Sequence, residues 1–217
     1  VSPTSTAESY QRLRELVLSG IWGPDEPLRE ESVAQLLGTS RTPVRDALRR
    51  LESDGLVRIT PRRGARVVSH SAAEVDAIFD LRALLEGHAA RRAAETGGCG
   101  DLAELERLAN AMEEELAANG PTAEVTRLNL AFHRHIHDGS GNPLLTHLLE
   151  SVIATSLVHS AFASYDAQER ERSVRHHREL IEAIRARDGG WAGSVMAGHI
   201  RAAHHVIRRT REEGPTP

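Results

Sequence analysis

The chain has 217 residues, of which 40% are hydrophobic and only 3% aromatic, enough for a folded core of mainly aliphatic side chains and too many for a disordered chain. A single cysteine, Cys99, excludes an intrachain disulfide, and neither an apolar span of about 18 residues nor an apolar leader near Val1 can be read, so a cytoplasmic protein is expected. The net charge of −4 argues, as a total, against a nucleic-acid partner.

The total conceals an asymmetry, because all 27 basic residues are arginines and they are unevenly spread. Eight of them (41, 45, 49, 50, 58, 62, 63 and 66) lie within residues 41–66, against Asp46, Glu52 and Asp54. A cluster this dense on a short module matches an electrostatic DNA footprint, the plainer alternative being a solvated arginine face.

In chain order, Tyr10, Leu13, Leu16 and Val17 fall at helical spacing and predict a helix over 7–19, with Gly20 as its stop. The segment 21–27 is rich in turn formers. A second helix over 30–37 carries Val33, Leu36 and Leu37 on one side and ends at Gly38. A third follows at once, with Ser40 as N-cap and Pro43 in the first turn, where its missing N–H costs nothing. Its Val44, Leu48 and Leu51 form a core stripe, while Arg41, Arg45 and Arg49 recur every four residues on another face. Two short helices joined by a tight turn, the second basic at its start, predict a helix-turn-helix. Segments 56–60 and 65–68 then read as two strands around Pro61-Arg62-Arg63-Gly64, a hairpin wing.

Residues 10–68 closely resemble the winged helix-turn-helix of the GntR family of bacterial transcription regulators, above all in the run from Gly38 through Thr39-Ser40-Arg41-Thr42-Pro43-Val44-Arg45 to Leu51 and in Asp54-Gly55-Leu56-Val57. The resemblance implies that Arg41, Thr42 and Arg45 touch operator bases and phosphates and that Gly64 approaches the minor groove. Arginine suits a guanine, whose O6 and N7 match the guanidinium fork. Arg49, Arg62 and Arg63, for which the resemblance gives less guidance, are expected phosphate contacts, the plainer alternative being solvent-exposed charge that only raises the local potential. Where some relatives carry an arginine at the start of helix two, this chain has Glu31.

Residues 71–217 show no strand pattern and predict an all-helical bundle of about six helices: 72–95, 101–118, 122–138, one long helix from Asn142 to about 165, 169–187 and 191–210. Val75, Ile78, Phe79, Leu81, Leu84 and Leu85 mark the apolar side of the first. The expected organisation is thus a DNA-binding head, 1–70, and a helical domain, 71–217. Eleven of the 12 histidines lie in that domain. Asn129 and His133 share one helix face, and His177 and His199 sit on two others. By spacing alone such groups could line a metal site in a bundle core, but so could the pair His133 and His137, and single bundle histidines are more often structural.

From residue 71 to about 210 the chain looks like the helical effector domain called FCD, the usual partner of this winged helix in the FadR-type branch. The resemblance implies that Asn129, His133, His177 and His199 hold a divalent ion, zinc or nickel, with positions left for water or a ligand carboxylate. Asparagine stands at 129 where aspartate is more frequent, which removes one negative charge. In such domains an arginine matching Arg82 grips the effector carboxylate; by the residues alone, Arg82 could equally pair with Glu86, four residues on. The whole implies a homodimeric transcription regulator, a repressor, that binds palindromic operator DNA and responds to a small carboxylate effector. The rival readings are a regulator that answers to the metal ion alone and a metalloenzyme, for which no His-Glu-x-x-His or Glu-x-x-His pattern exists.

Overall fold

The computed structural model describes residues 6–18, 21–100, 102–153 and 155–213. The chain divides into two compact units, Val1–His70 with Ala154–Ser156, and Ser71–Ile153 with Leu157–Pro217.

In the first unit, helix α1 (Thr6–Leu18) packs Leu13 and Val17 against the third helix; the Gly20 stop lies outside the described residues. Helix α2 (Glu30–Leu37) ends at Gly38, whose φ of 65° is the left-handed cap that returns its N–H to Ala34 and Gln35. Helix α3 (Arg41–Ser53) starts after an extended Ser40 whose side chain makes no capping bond, and it buries Val44, Ala47, Leu48 and Leu51. Leu36 does not join the core of α2. It is exposed, and Ala34 is buried with Val33 and Leu37 instead, because Leu36 and Leu37 stand about 100° apart on the helix.

Strands β2 (Val57–Thr60) and β3 (Gly64–Val67) form the expected antiparallel wing, with Arg58 opposite Arg66. A third strand, β1 (Pro27–Leu28), pairs with β3 through Leu28 and Ala65, so the sheet order is β1-β3-β2. Two residues, one of them proline, are too short to show strand alternation, and the segment therefore reads as turn.

The second unit opens with α4 (Ala72–Thr96), an unbroken 25-residue helix started by a reciprocal Ser71/Glu74 capping box and stopped at Gly97. It is followed by α5 (Ala103–Ala117), α6 (Thr122–Gly139), α7 (Pro143–Val152), α8 (Thr155–Ser164), α9 (Ala167–Arg185) and α10 (Gly189–Glu213). The long helix expected from Asn142 is therefore two. Ile153 leaves helical geometry (ψ 105°) after the β-branched Val152, and α7 and α8 diverge by 65°. The described residues of this unit hold seven helices.

Helices α4 and α10 approach through glycine. A Cβ at Gly87 would lie 3.1 Å from the Gly193 carbonyl oxygen, and one at Gly193 3.0 Å from that of Gly87. On the far side of α4, Leu85 and Ala89 pack against Leu145 and Leu149 of α7. Leu81 and Leu84, grouped by spacing with the core, are instead 47% and 69% exposed, as are Leu144 (66%) and Leu148 (44%) of α7. No single described helix is long and apolar enough to cross a membrane.

Candidate nucleic-acid interface and candidate metal centre

On the head, the core stripe of α3 turns Arg41, Arg45 and Arg49 outward, with side chains 63%, 54% and 68% exposed. Together with Arg29, Arg63 and Gly64 they line a concave surface of about 630 Å³ between α3 and the wing. Thr42 is exposed beside them in the first turn. Glu30, the first residue of α2, sits in this surface. It accepts from Arg45 at Nε (3.1 Å) and Nη2 (2.9 Å), and the Arg41 Nε lies 3.7 Å away. The Arg45 hydrogen bond, outweighing partial burial, holds the Glu30 carboxyl below its usual range. This side-on pairing uses two of the five guanidinium N–H groups, and the remaining end-on pair has the spacing for guanine O6 and N7.

The wing turn closes through Arg63 N–H to the Thr60 carbonyl, with Arg62 (φ 66°) and Gly64 (φ 79°) both left-handed. Glycine adopts that conformation freely; arginine does so at a cost, and its side chain is exposed at the tip. Arg58, Arg63 and Arg66 line a second concavity of about 550 Å³ along the wing. Arg58 and Arg66 were part of the charge cluster in the sequence, but only the strand register puts them opposite each other.

In the helical unit, α6 supplies Asn129 and His133, α9 His177 and α10 His199, and all four are buried. One nitrogen from each histidine lies within 4.8 Å of the others. Asn129 Oδ1, His133 Nε2 and His177 Nε2 are buried without a hydrogen-bond partner. Burial, reinforced by neighbouring cationic groups, pushes His177 and His199 well below the usual imidazole range, so both are neutral near pH 7.

The protonation of His133 follows from Glu86 on α4, which is fully buried. Glu86 Oε1 accepts from Arg82 Nε at 2.8 Å, and Oε2 faces His133 Nδ1 at 2.6 Å and His137 Nε2 at 3.2 Å. Burial pushes this carboxyl up, but Arg82 and His133 together hold it well below the usual carboxylate range. A carboxylate only accepts, so both rings present N–H to it. Burial, outweighing the pull of Glu86, lowers His133 below the usual imidazole range, so the ring is neutral near pH 7 and its Nε2 carries a lone pair. Three buried imidazoles whose nitrogens converge in this way could hold a divalent ion. The carboxylate behind a ligating histidine is the usual device for fixing its tautomer.

The structure thus brings together His133, His177 and His199, with Asn129 buried one turn before His133 on α6; it adds Glu86, which sequence reasoning paired only with Arg82, and His137, raised there only as an alternative partner of His133. Arg82 is buried and bonded to Glu86, with its guanidinium 5.2 Å from the Phe79 ring. Two further groups went unnoticed. Tyr165 is a buried phenol pushed up to about 12 by desolvation, and Ser173, one turn before His177, carries a buried hydroxyl without a partner.

Residues 6–67 match the family described as bacterial regulatory proteins, gntR family, and residues 77–202 match the FCD domain. The uncharacterized HTH-type transcriptional regulator YdhC of Bacillus subtilis is 30% identical over 94% of this chain and 92% of its own length. The HTH-type transcriptional repressor RspR of Escherichia coli is 28% identical over 94% and 89%, and the Glc operon transcriptional activator of the same species 27% over 93% and 91%. Among solved structures, E. coli McbR/YncC shares the fold with a TM-score of 0.73 at 24% identity, covering 94% of this chain and 97% of that one.

Proposed function

The chain belongs to the gntR family of bacterial regulatory proteins and carries an FCD domain, and on that premise we propose that it is a homodimeric repressor released from operator DNA by a small carboxylate bound beside a divalent ion. The family and the relatives are transcriptional regulators, not enzymes, which removes the metalloenzyme reading. The observation that carries the effector part is the buried His133, His177 and His199 cluster, with Asn129 Oδ1, His133 Nε2 and His177 Nε2 unpartnered and Arg82 linked to His133 through Glu86. Asn129, His133, His177 and His199 would hold the ion, which when bound supplies a Lewis-acidic anchor for a carboxylate. Arg82 and the Ser173 hydroxyl supply donors for the rest of the effector, and Glu86 keeps His133 in the ligating tautomer.

In the head, Arg41, Thr42 and Arg45 read the major groove, Arg49 and Arg62 grip phosphates, and Gly64 lets the wing approach the minor groove. Two heads on one dimer place their recognition helices about one DNA turn apart. The exposed leucines 81, 84, 144 and 148 on adjoining helices α4 and α7 support self-association through that apolar face. Effector binding then shifts operator affinity by a coupling free energy of about 1–3 kcal/mol. Repression follows the relative named a repressor, although an activator shares the architecture. A regulator bound to its operator acts in the cytoplasm.

A second reading, in which the ion alone is the signal, draws on the Arg82–Glu86 bond, since an arginine already engaged is not an open carboxylate receptor. Operator DNA selected in vitro, bound in gel shifts across a metal titration with and without small carboxylates, separates the two. Release that needs the carboxylate supports the first reading, and release that follows free metal alone supports the second. His133→Ala with His199→Ala should abolish either response while DNA binding persists.

A further inference from the structure

The wing carries an arginine surface on the side turned away from the head's core. In the antiparallel register of β2 and β3 the buried Val57 and Ala65 mark the inner face, so strand alternation puts Arg58, Thr60 and Arg66 on the outer one, with Arg58 directly opposite Arg66. Like charges facing each other across two strands oppose folding. Arg66 is held in place by donating from Nη1 to the carbonyl of Asp25 at 2.6 Å, where Asp25 is left-handed (φ 61°), and the exposed Asp25 carboxylate stands 3.8 Å away. Among the described residues, no acid pairs with Arg58 or Arg63. On α3, by contrast, Arg41 and Arg45 share Glu30, and Arg49 has Asp46 at 3.9 Å. The wing thus holds cationic charge that the described residues of the head do not offset.

That charge is continuous with the recognition surface. Arg63 and Arg66 line both the wing concavity of about 550 Å³ and the one of about 630 Å³ between α3 and the wing. A strip of arginines therefore runs from Arg41 and Arg45 round the wing to Arg58. Resting on the DNA-reading role of the head given above, we propose that Arg58 and Arg66 bind backbone phosphates of the duplex flanking each half-site, outside the bases that α3 reads. A phosphate accepts from both guanidinium groups and cancels their mutual repulsion. Such contacts fix position and read no base, so the flanking sequence is free to vary and only its presence matters.

The test uses the full chain and an operator fragment selected in vitro, either cut at the outer edges of its half-sites or extended there by roughly six base pairs (~20 Å) of unrelated sequence. Gel shifts over a range of salt concentrations give the affinity and its salt slope. The wild type should bind the extended duplex more tightly, on the order of tenfold, with a slope steeper by about two for each bound head. Arg58→Gln with Arg66→Gln should lose most of that gain and of the added slope. Both proteins meet the same pair of duplexes, so the general attraction of longer DNA cancels. The flanking contact is overturned if the double variant gains from extension as much as the wild type, or if the wild type gains nothing. Thermal unfolding establishes that the variant head is folded. If it is not, Arg58→Thr, which leaves the Arg66 bond to Asp25 in place, is read instead; it should lose about one from the slope per head, and a full wild-type gain overturns the contact. Arg45→Ala separates this from a failure of the DNA-reading role itself. Loss of specific binding to both duplexes upholds α3 as the reader, whereas wild-type binding to both refutes that role and the flanking contact together.

Discussion

The two candidate sites both pair arginine with glutamate, and the pairs have opposite energetics. Glu30 and Arg45 meet on the rim of an open surface, where water solvates either partner once they separate. Arg45 can therefore exchange or share its glutamate with DNA at little cost. Glu86 and Arg82 meet where their side chains are 0% and 4% exposed, and Glu86 also orders two histidines. There the pair is a fixed part of the interior, since separating it strands a charge away from water. The DNA-reading site is built from exchangeable contacts, and the sensing site from contacts that must be preserved.

Removing one acid from each site should expose the difference most sharply. Glu86→Ala leaves Arg82 unpaired in the interior and should destabilise the helical unit by about 3–5 kcal/mol in denaturant unfolding. Glu30→Ala should leave the unfolding midpoint of the head unchanged. A similar loss in both would mean that burial does not separate the two pairs. On the DNA side, Arg45→Ala should lower specific operator affinity by on the order of tenfold or more in gel shifts, with unfolding of the helical unit unaltered.

Acid should also act on one unit and spare the other. His177 and His199 have folded values depressed well below that of an unfolded histidine, about 6.5. The unfolded chain therefore binds more protons in the window below that value, and stability falls progressively as pH drops from about 6.5 toward the folded values. Thermal unfolding of the apo protein between about pH 7.5 and 5, a range that spans that window, should show the helical unit losing stability while the head holds. The smallest effect is expected at Arg49. Its replacement by alanine should reduce the salt dependence of DNA binding by about one counterion and weaken all sequences alike.

Legibility followed the same division. The head's chemistry is local: Gly38, Pro43, the Val44/Leu48/Leu51 stripe and the arginine stripe lie within fourteen positions of one another, so spacing alone implied the helix-turn-helix. The departures there were Leu36, one position off the buried face, and the two-residue strand β1, held by pairing with β3 and not by any pattern of its own. In the helical unit, spacing indicated helices but not which faces remain open, so Leu81 and Leu84 read as core. The α7/α8 break turned on the backbone of Ile153 in an apolar run that reads as continuous helix. Glu86 was visible only as a helical neighbour of Arg82. Its bond to His133 spans 47 positions, and no periodicity carries information across that distance.

The meeting of Gly87 and Gly193 has a mechanical consequence. Where two helices touch backbone to backbone, no side chain can yield by changing rotamer, so the contact acts as a fulcrum about which α4 can tilt but toward which it cannot move closer. Arg82 and Glu86 lie next to that fulcrum. The helix runs without a break back to Ser71, directly after His70, and at 1.5 Å per residue the arm from Glu86 to Ser71 is about 22 Å long. A small tilt at the buried cluster becomes a larger excursion at Ser71, the far end of the arm.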